Sequence, residues 1–362
     1  MPPRPVAVER LPAYSPQAPP AVNWRCKLSA NHVETIGQPS MRYIVGLDEA
    51  GYGPNLGPLI VAATVWEVPP HTDEDGLYSL LADAIVPSAG RAAGGSGRVA
   101  MADSKCLYQS GGGLRNLERG VLGALRTLGA EVDLWSEVWD ALVPDSLAAL
   151  ARIPWYADFD EPAPVHAPPE ELASVSVCLS AAFAASGARL RKITADAVFP
   201  DRFNDLLLLH DTKGAALSHL SLQLAAQTIA ELGDGAIAIV CDKHGGRNRY
   251  GRLLEEYFPD WLVENHGESR ERSVYRFGPA QRRISATFRA RAEICLPVAL
   301  ASMTAKYLRE LAMRALNAFW YARVPGLKPT AGYPADAPRF HHDIAEARQT
   351  LGIPDHIFWR NR

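Results

Sequence analysis

Gly46-Leu47-Asp48-Glu49-Ala50-Gly51-Tyr52-Gly53-Pro54-Asn55-Leu56-Gly57-Pro58 lies between two apolar runs, Met41 to Leu47 before it and Leu59 to Trp66 after it. Two adjacent carboxylates at the end of a strand that reads as buried are too costly to be packing residues. They need a partner, and a divalent cation serves both. Glycines 51, 53 and 57, interleaved with Pro54 and Pro58, describe a tight turn that lets another backbone approach before the chain returns as a second strand. The plain alternative is a hairpin turn whose acids are solvated.

Arg42 to Leu47 and Leu59 to Val68 therefore read as an antiparallel pair joined by the acidic glycine loop. Ala236-Ile237-Ala238-Ile239-Val240-Cys241 is a nearly continuous apolar run, as expected of a strand buried on both faces, and Asp242 sits where it emerges. Ligand chemistry in α/β sheets gathers at such carboxyl ends. Further strands are read at Arg189 to Val198, Trp261 to Glu264, Ser273 to Phe277 and Arg282 to Phe288. Helical spacing covers Leu114 to Leu128, 145–152, 169–186, Lys213 to Leu232, Leu296 to Tyr321 and a short piece near 341–351. The fold class is α/β, with a mixed sheet flanked by helices.

Residues 1–40 carry many prolines and little periodicity, so they read as an extended or disordered arm. Residues 41–134 and 189–324 form the main domain. The stretch 135–188, with its prolines and aromatic residues, reads as a helical, proline-rich insertion, and 325–362 as a tail packed on the core. An apolar content of 48% and a charged content of 21% describe an ordinary globular chain that buries a full core. The net charge of -3 means that any nucleic-acid binding must come from a local patch. Five scattered cysteines without a C-x-x-C pair argue against a zinc site and a disulfide framework, and point to a reducing cytoplasm. No stretch reaches the roughly 18 to 20 apolar residues needed to cross a bilayer, so no membrane association is expected.

Asp48, Glu49 and Asp242 thus stand at the ends of central strands, and holding two ions takes a fourth acid. Two-metal hydrolysis uses several carboxylates to grip divalent ions that activate water and neutralise the leaving oxygen. Mg²⁺ suits oxygen ligands of this kind. Glu310 is the candidate for the fourth, because Ser302, Lys306 and Glu310 fall at i, i+4 and i+8 on one face of the last long helix. The same stripe also fits a solvated face.

These segments resemble, in order, the catalytic domain of a type 2 ribonuclease H. Gly46 to Pro54 is similar to the family's opening Asp-Glu-Ala-Gly-Arg-Gly-Pro signature, Asp103-Ser104-Lys105 to its Asp-Ser-Lys segment, and Val240-Cys241-Asp242 to the strand with its third acid. Leu296 to Glu310 is similar to its Ser-x-x-x-Lys-x-x-x-acid helix, and Gly332-Tyr333-Pro334 to its Gly-Tyr segment. The resemblance implies a ribonuclease H-like fold with Asp48, Glu49, Asp242 and Glu310 as catalytic residues holding two Mg²⁺ or Mn²⁺ ions. It implies substrate contacts from Gly51, Tyr52, Gly53, Lys105, Ser302, Lys306 and Tyr333. The substrate would be an RNA/DNA hybrid or a ribonucleotide-containing duplex, and the reaction hydrolysis of the RNA strand. Tyr52 replaces the family's arginine and Glu310 its more usual aspartate, so the choice between RNA tracts and single embedded ribonucleotides stays open.

Lys243, Arg247, Arg249 and Arg252 after Asp242, with Arg282, Arg283, Arg289 and Arg291 before the last long helix, supply cations for a polyanion. Their other reading is as surface arginines paired with nearby glutamates. A second function also fits the sequence: a catalytically weak or inactive nucleic-acid-binding protein with a ribonuclease H fold. A nucleotide-dependent enzyme fits poorly, since the loop lacks a Gly-Lys-Ser/Thr ending.

Overall fold

The computed structural model describes residues 41–89, 98–108 and 113–361. The arm read over 1–40 and most of the glycine-rich stretch near 90–97 lie outside the described residues. The described residues contain nine strands. β1 (Arg42–Ala50), β2 (Leu59–Val68), β5 (Arg189–Val198), β6 (Ala236–Asp242), β7 (Glu264–Glu268), β8 (Arg272–Phe277) and β9 (Ile284–Arg289) make one seven-stranded sheet in the order β5-β2-β1-β6-β9-β8-β7. β3 (Ile85–Val86) and β4 (Val99–Ala100) form a separate two-stranded pair.

The sheet is mixed. β1 runs antiparallel to β2 but parallel to β6, and β6 runs parallel to β9. Three neighbouring strands, β1, β6 and β9, therefore present their carboxyl ends at one edge. Alternation along β1 buries Ile44 on the face covered by the helix Leu296–Tyr321, and Val45 and Leu47 on the face covered by Lys213–Ala230. Helices on both faces explain why the central strands read as continuous apolar runs rather than alternating ones.

The long helix Leu296–Tyr321 lies against β1 and β2, and one glycine sets how near it comes. A Cβ on Gly46 would fall 2.2 Å from the Pro297 carbonyl carbon and 2.4 Å from the Val298 nitrogen. The Thr64 hydroxyl on β2 donates to the Pro297 carbonyl at 2.7 Å and fixes the same first turn. Gly46→Ala is expected to destabilise the fold by about 3 kcal/mol or more, because backbone and not a flexible side chain must move. A thermal melt of the variant checks this, and an unchanged midpoint would contradict it.

The stretch 135–188 shares the main core. Trp135, Trp139, Trp155 and Tyr156 are buried and pack ring against ring, and the Trp135 indole donates to the Leu311 carbonyl of the long helix at 3.2 Å. Glu118, fully buried on the helix Arg115–Thr127, accepts from the amides of Val165, His166 and Ala167. It pins the 163–167 segment to the main domain.

Several helices of the described residues were not among those read from spacing, Trp135–Leu142, Pro200–His210 and Gly251–Tyr257 among them. Trp135–Leu142 spans only about two turns, too few for its period to stand out among the surrounding prolines and aromatic residues, and Pro200–His210 exposes Leu208 and Leu209, which blurs its pattern. The strand read at Trp261 to Glu264 begins instead at Glu264, because Trp261 stacks on Phe258 and packs against Phe277 at a corner. Among the described residues no helix is long and apolar enough to cross a membrane, and Cys106, Cys178, Cys241 and Cys295 are free thiols.

Candidate active site

Asp48 and Glu49 arrive from the end of β1, Asp242 from the end of β6, and a third segment joins them. That segment is the single 3-10 turn Ala292–Ile294, which follows β9 and carries Glu293. Asp48 is 7% exposed, and its carboxyl is held well above the usual range by burial, then by Glu49 and Glu293, against a hydrogen bond from Ser302. Glu49 is pushed up to about 7 by burial, then by Asp242 and Glu293, with Lys105 acting in the opposite sense. Burial followed by Asp242 and Asp103 raises Glu293. Asp242 is raised by burial, with the backbone at Lys243, Ala292 and Arg291 acting in the opposite sense.

Lys105 is the counterweight. Burial lowers its affinity for a proton, but Asp103, Glu293, Asp48 and Glu49 together raise it, so the ammonium stays charged among the acids. Its position follows from the short helix Ser104–Leu107, whose N-cap Asp103 accepts from the Lys105 amide at 3.0 Å. The Ser104 and Ser302 hydroxyls lie 3.1 Å apart, which docks that helix on the long one. Ser302 thus touches both Asp48 and the Lys105 helix.

Glu310 stands elsewhere. Eight residues along a helix advance about 12 Å from Ser302, and Glu310 is not among the groups that act most on Asp48, Glu49, Asp242 or Glu293. It pairs instead with Lys306 and accepts from the Tyr108 hydroxyl at 2.8 Å, while the Lys306 ammonium lies 4.5 Å from the Tyr108 ring centre. The geometry therefore favours Glu293 over Glu310 as the fourth acid. The rule that located Asp242 also locates Glu293: β9 is parallel to β6, and Asp242 pairs with Arg289, so an acid just past β9 returns to the same edge.

The donor set fits a hard divalent cation. All four acids offer oxygen, and the Asp242 Oδ1 atom is buried without a hydrogen-bond partner among the described residues. As the side chains stand, no three His, Cys, Asp or Glu groups among the described residues converge closely enough to hold an ion. Without a cation the carboxylates repel one another. Because their folded values lie above their unfolded ones, the fold binds these protons more tightly, so metal-free stability is full at low pH and is lost as pH rises through the folded values. For Glu49 the window runs from 4.5 to about 7. The melting temperature of metal-free protein is expected to fall across that window, and to fall less with saturating Mg²⁺. A metal-free profile that is flat there would contradict the clustering.

The glycine loop has an inner and an outer side. Gly51 and Gly57 both adopt positive φ, and a Cβ on either would collide with neighbours that include the Arg309 side chain. Arg309, buried on the long helix, donates to the carbonyls of Pro58 at 2.9 Å, Leu56 at 3.3 Å and Ala331 at 3.0 Å. Those two glycines thus make room for an internal guanidinium. Gly53 faces outward, with the Tyr333 ring 4.0 Å from where its Cβ would be. Tyr333 itself is 50% exposed, on a segment tied to the loop by the Asn55 amide donating to the Gly332 carbonyl at 2.8 Å. The Tyr52 hydroxyl lies against Gly214 and Gly245, 3.7 Å and 3.3 Å from their would-be Cβ atoms.

Several of the cations read as phosphate contacts already have partners within the protein. Lys243 donates to the Ser269 carbonyl at 2.6 Å and to Asn248 and Ser273 at 3.0 Å. Arg283 pairs with Glu264, and Arg289 with Asp75. Arg282 donates to the Ile229 carbonyl. Arg249 lies 3.8 Å from Glu268 and is almost wholly exposed. A cleft of about 620 Å³ beside the acids is lined by Asp242, Glu293, Lys105, Arg291, Tyr78 and Ile294, among others.

Neither a family model nor a curated relative matches the chain. Among solved structures it is similar to ribonuclease HII of Archaeoglobus fulgidus, solved as a complex with PCNA, at 18% identity and a TM-score of 0.40 over 88% of this chain and 94% of that one. It is similar to ribonuclease H2 of Pyrococcus horikoshii OT3 at 15% identity and a TM-score of 0.37, over 87% and 92%. A third is ribonuclease H3 of Aquifex aeolicus, at 12% identity and a TM-score of 0.34, over 88% and 71%. The structural neighbours are thus ribonucleases H of types 2 and 3, and the likeness lies in the arrangement of the chain. The roles of individual residues rest on the site itself.

Proposed function

We propose that this protein is a metal-dependent endonuclease that hydrolyses the RNA strand of RNA/DNA hybrids, leaving a 3'-hydroxyl and a 5'-phosphate. The observation that carries the reading is that Asp48, Glu49, Asp242 and Glu293, from three strand ends, act electrostatically on one another around Lys105. Four carboxylates that repel one another, one buried and three half-buried, are a poor structural device, and they suit a site that takes up Mg²⁺ or Mn²⁺. Bound divalent ions supply Lewis acidity for phosphodiester hydrolysis.

The chain's own residues do the rest. Asp48, Glu49, Asp242 and Glu293 hold the ions, and Ser302 keeps Asp48 in one orientation. Lys105 meets a non-bridging phosphate oxygen of the substrate and offsets its charge. The Gly51-Tyr52-Gly53 loop, with Tyr333 beside Gly53, faces the sugar edge, where telling RNA from DNA depends on the 2'-hydroxyl and not on base edges. Arg247, Arg252 and Arg291, which form no ion pair among the described residues, are the cations left to meet the backbone.

A gapless hybrid with a labelled RNA strand and Mg²⁺ should be cut at many positions, and Asp242→Asn should leave it whole. A purified, folded protein that leaves the hybrid intact with both Mg²⁺ and Mn²⁺ would refute the reading.

A further inference from the structure

One buried cation is used neither by the proposed chemistry nor by any ion pair. Arg360 is fully buried, and among the described residues it has no carboxylate partner. Burial, and then the neighbouring charge of Arg309, pull its pKa well below the usual arginine value. A buried unpaired guanidinium is costly, so its acceptors matter. They are main-chain carbonyls of the glycine loop: Gly51 at 2.6 Å and Tyr52 at 3.4 Å. The guanidinium also stacks 3.9 Å from the Phe203 ring centre.

The segment around Arg360 is itself clamped. Its amide donates to the Asn55 carbonyl at 2.8 Å, and the Asn55 side chain donates back to the Arg360 carbonyl at 3.0 Å. Asn204 holds the two flanking residues, donating to the Trp359 carbonyl at 2.9 Å and accepting from the Asn361 amide at 2.7 Å. Arg360 is thus fixed on a rigid support before it reaches the loop.

In a trans peptide the carbonyl and the following N–H point in opposite directions. The carbonyls of Gly51 and Tyr52 face inward to Arg360, so the amides of Tyr52 and Gly53 face outward. Among the described residues nothing accepts from either amide. Gly53 is exposed, and Glu49 lies two residues before Gly51.

We propose that Arg360 is a positioning residue for substrate recognition: by holding two carbonyls on the inner side of the loop, it presents the Tyr52 and Gly53 amides as a fixed pair of donors to a ribose hydroxyl of the RNA strand. Arg309 braces the far end of the same loop through Leu56 and Pro58. This inference rests on the proposed nuclease activity and on the sugar-facing role proposed for the loop, and names the residue that holds that loop in place.

The test compares the unaltered chain with Arg360→Gln, Arg360→Lys and Phe203→Leu on a fluorescent RNA/DNA hybrid with Mg²⁺, with a Mn²⁺ binding isotherm and a thermal melt for each. Arg360→Gln is expected to raise KM about tenfold, with kcat changed less than about twofold and the isotherm unmoved. Arg360→Lys should remain impaired, since an ammonium does not reproduce the planar fork that spans both carbonyls. Should the Gln variant fail to fold, Phe203→Leu, which removes the ring under the guanidinium, should raise KM about threefold.

An unchanged KM in a folded Gln variant of an active protein overturns the proposal alone. So does a parallel loss of kcat and of Mn²⁺ binding, the mark of a general structural role. An unaltered protein that cuts no hybrid overturns the nuclease reading, and this proposal falls with it.

Discussion

Glu293→Gln is expected to lower kcat/KM on an RNA/DNA hybrid by about a hundredfold or more at saturating Mg²⁺, whereas Glu310→Gln lowers it by less than about tenfold. The contrast follows from where the two side chains lie. Glu293 acts electrostatically on Asp48 and Glu49 and is itself raised by Asp242, which places it inside the pocket. Glu310 spends its two oxygens on Lys306 and Tyr108. Removing its charge leaves Lys306 without that partner and shifts the neighbourhood of Tyr333, a disturbance at the rim of the site. Steady-state kinetics on the two purified variants decides, and the reverse ranking would return the fourth position to Glu310.

The second large effect concerns stability. Asp48→Asn is expected to abolish cleavage and, at neutral pH without metal, to raise the melting temperature by at least roughly 3 °C. The amide keeps an oxygen to accept from Ser302 while removing a buried carboxylate whose charged form burial, Glu49 and Glu293 disfavour. The gain should shrink as pH is lowered toward the unfolded carboxyl range, where Asp48 is protonated in any case. It should also shrink when Mg²⁺ is added, because the ion stabilises the unaltered site and not the variant. Differential scanning at two pH values, with and without Mg²⁺, reads all of this. A destabilised variant at neutral pH would mean that Asp48 is compensated by contacts that outweigh the repulsion.

The arrangement of the sheet was legible because its cause is local. Val45 and Leu47 alternate with Ile44 along β1, the run Ala236 to Cys241 is apolar on both faces, and acids mark where these strands end. Residue 310 shows what spacing leaves undecided. Ser302, Lys306 and Glu310 do share a helical face, but a face is a line and not a point, and each step of four residues moves about 6 Å along it. A pocket at the sheet edge collects acids from neighbouring strand ends, and Glu293 sits on a one-turn segment with no periodicity to announce it.

The arginines were illegible for a different reason. A guanidinium buried against carbonyls leaves no trace in composition or spacing, so nothing in the sequence singled out Arg309 or Arg360, whose partners in the loop lie 251 and 309 positions away. The glycines were half legible. Their need for close approach was readable at Gly51 and Gly57, yet what approaches them includes Arg309 and not a substrate.

The most direct test of the account is a Mn²⁺ binding isotherm on the unaltered chain, Asp242→Asn and Glu310→Gln. Acids from the ends of β1, β6 and β9 forming one cation pocket predict saturable uptake by the unaltered chain, retained in Glu310→Gln and lost in Asp242→Asn. Three superimposable isotherms, or no uptake by the unaltered chain, would contradict it.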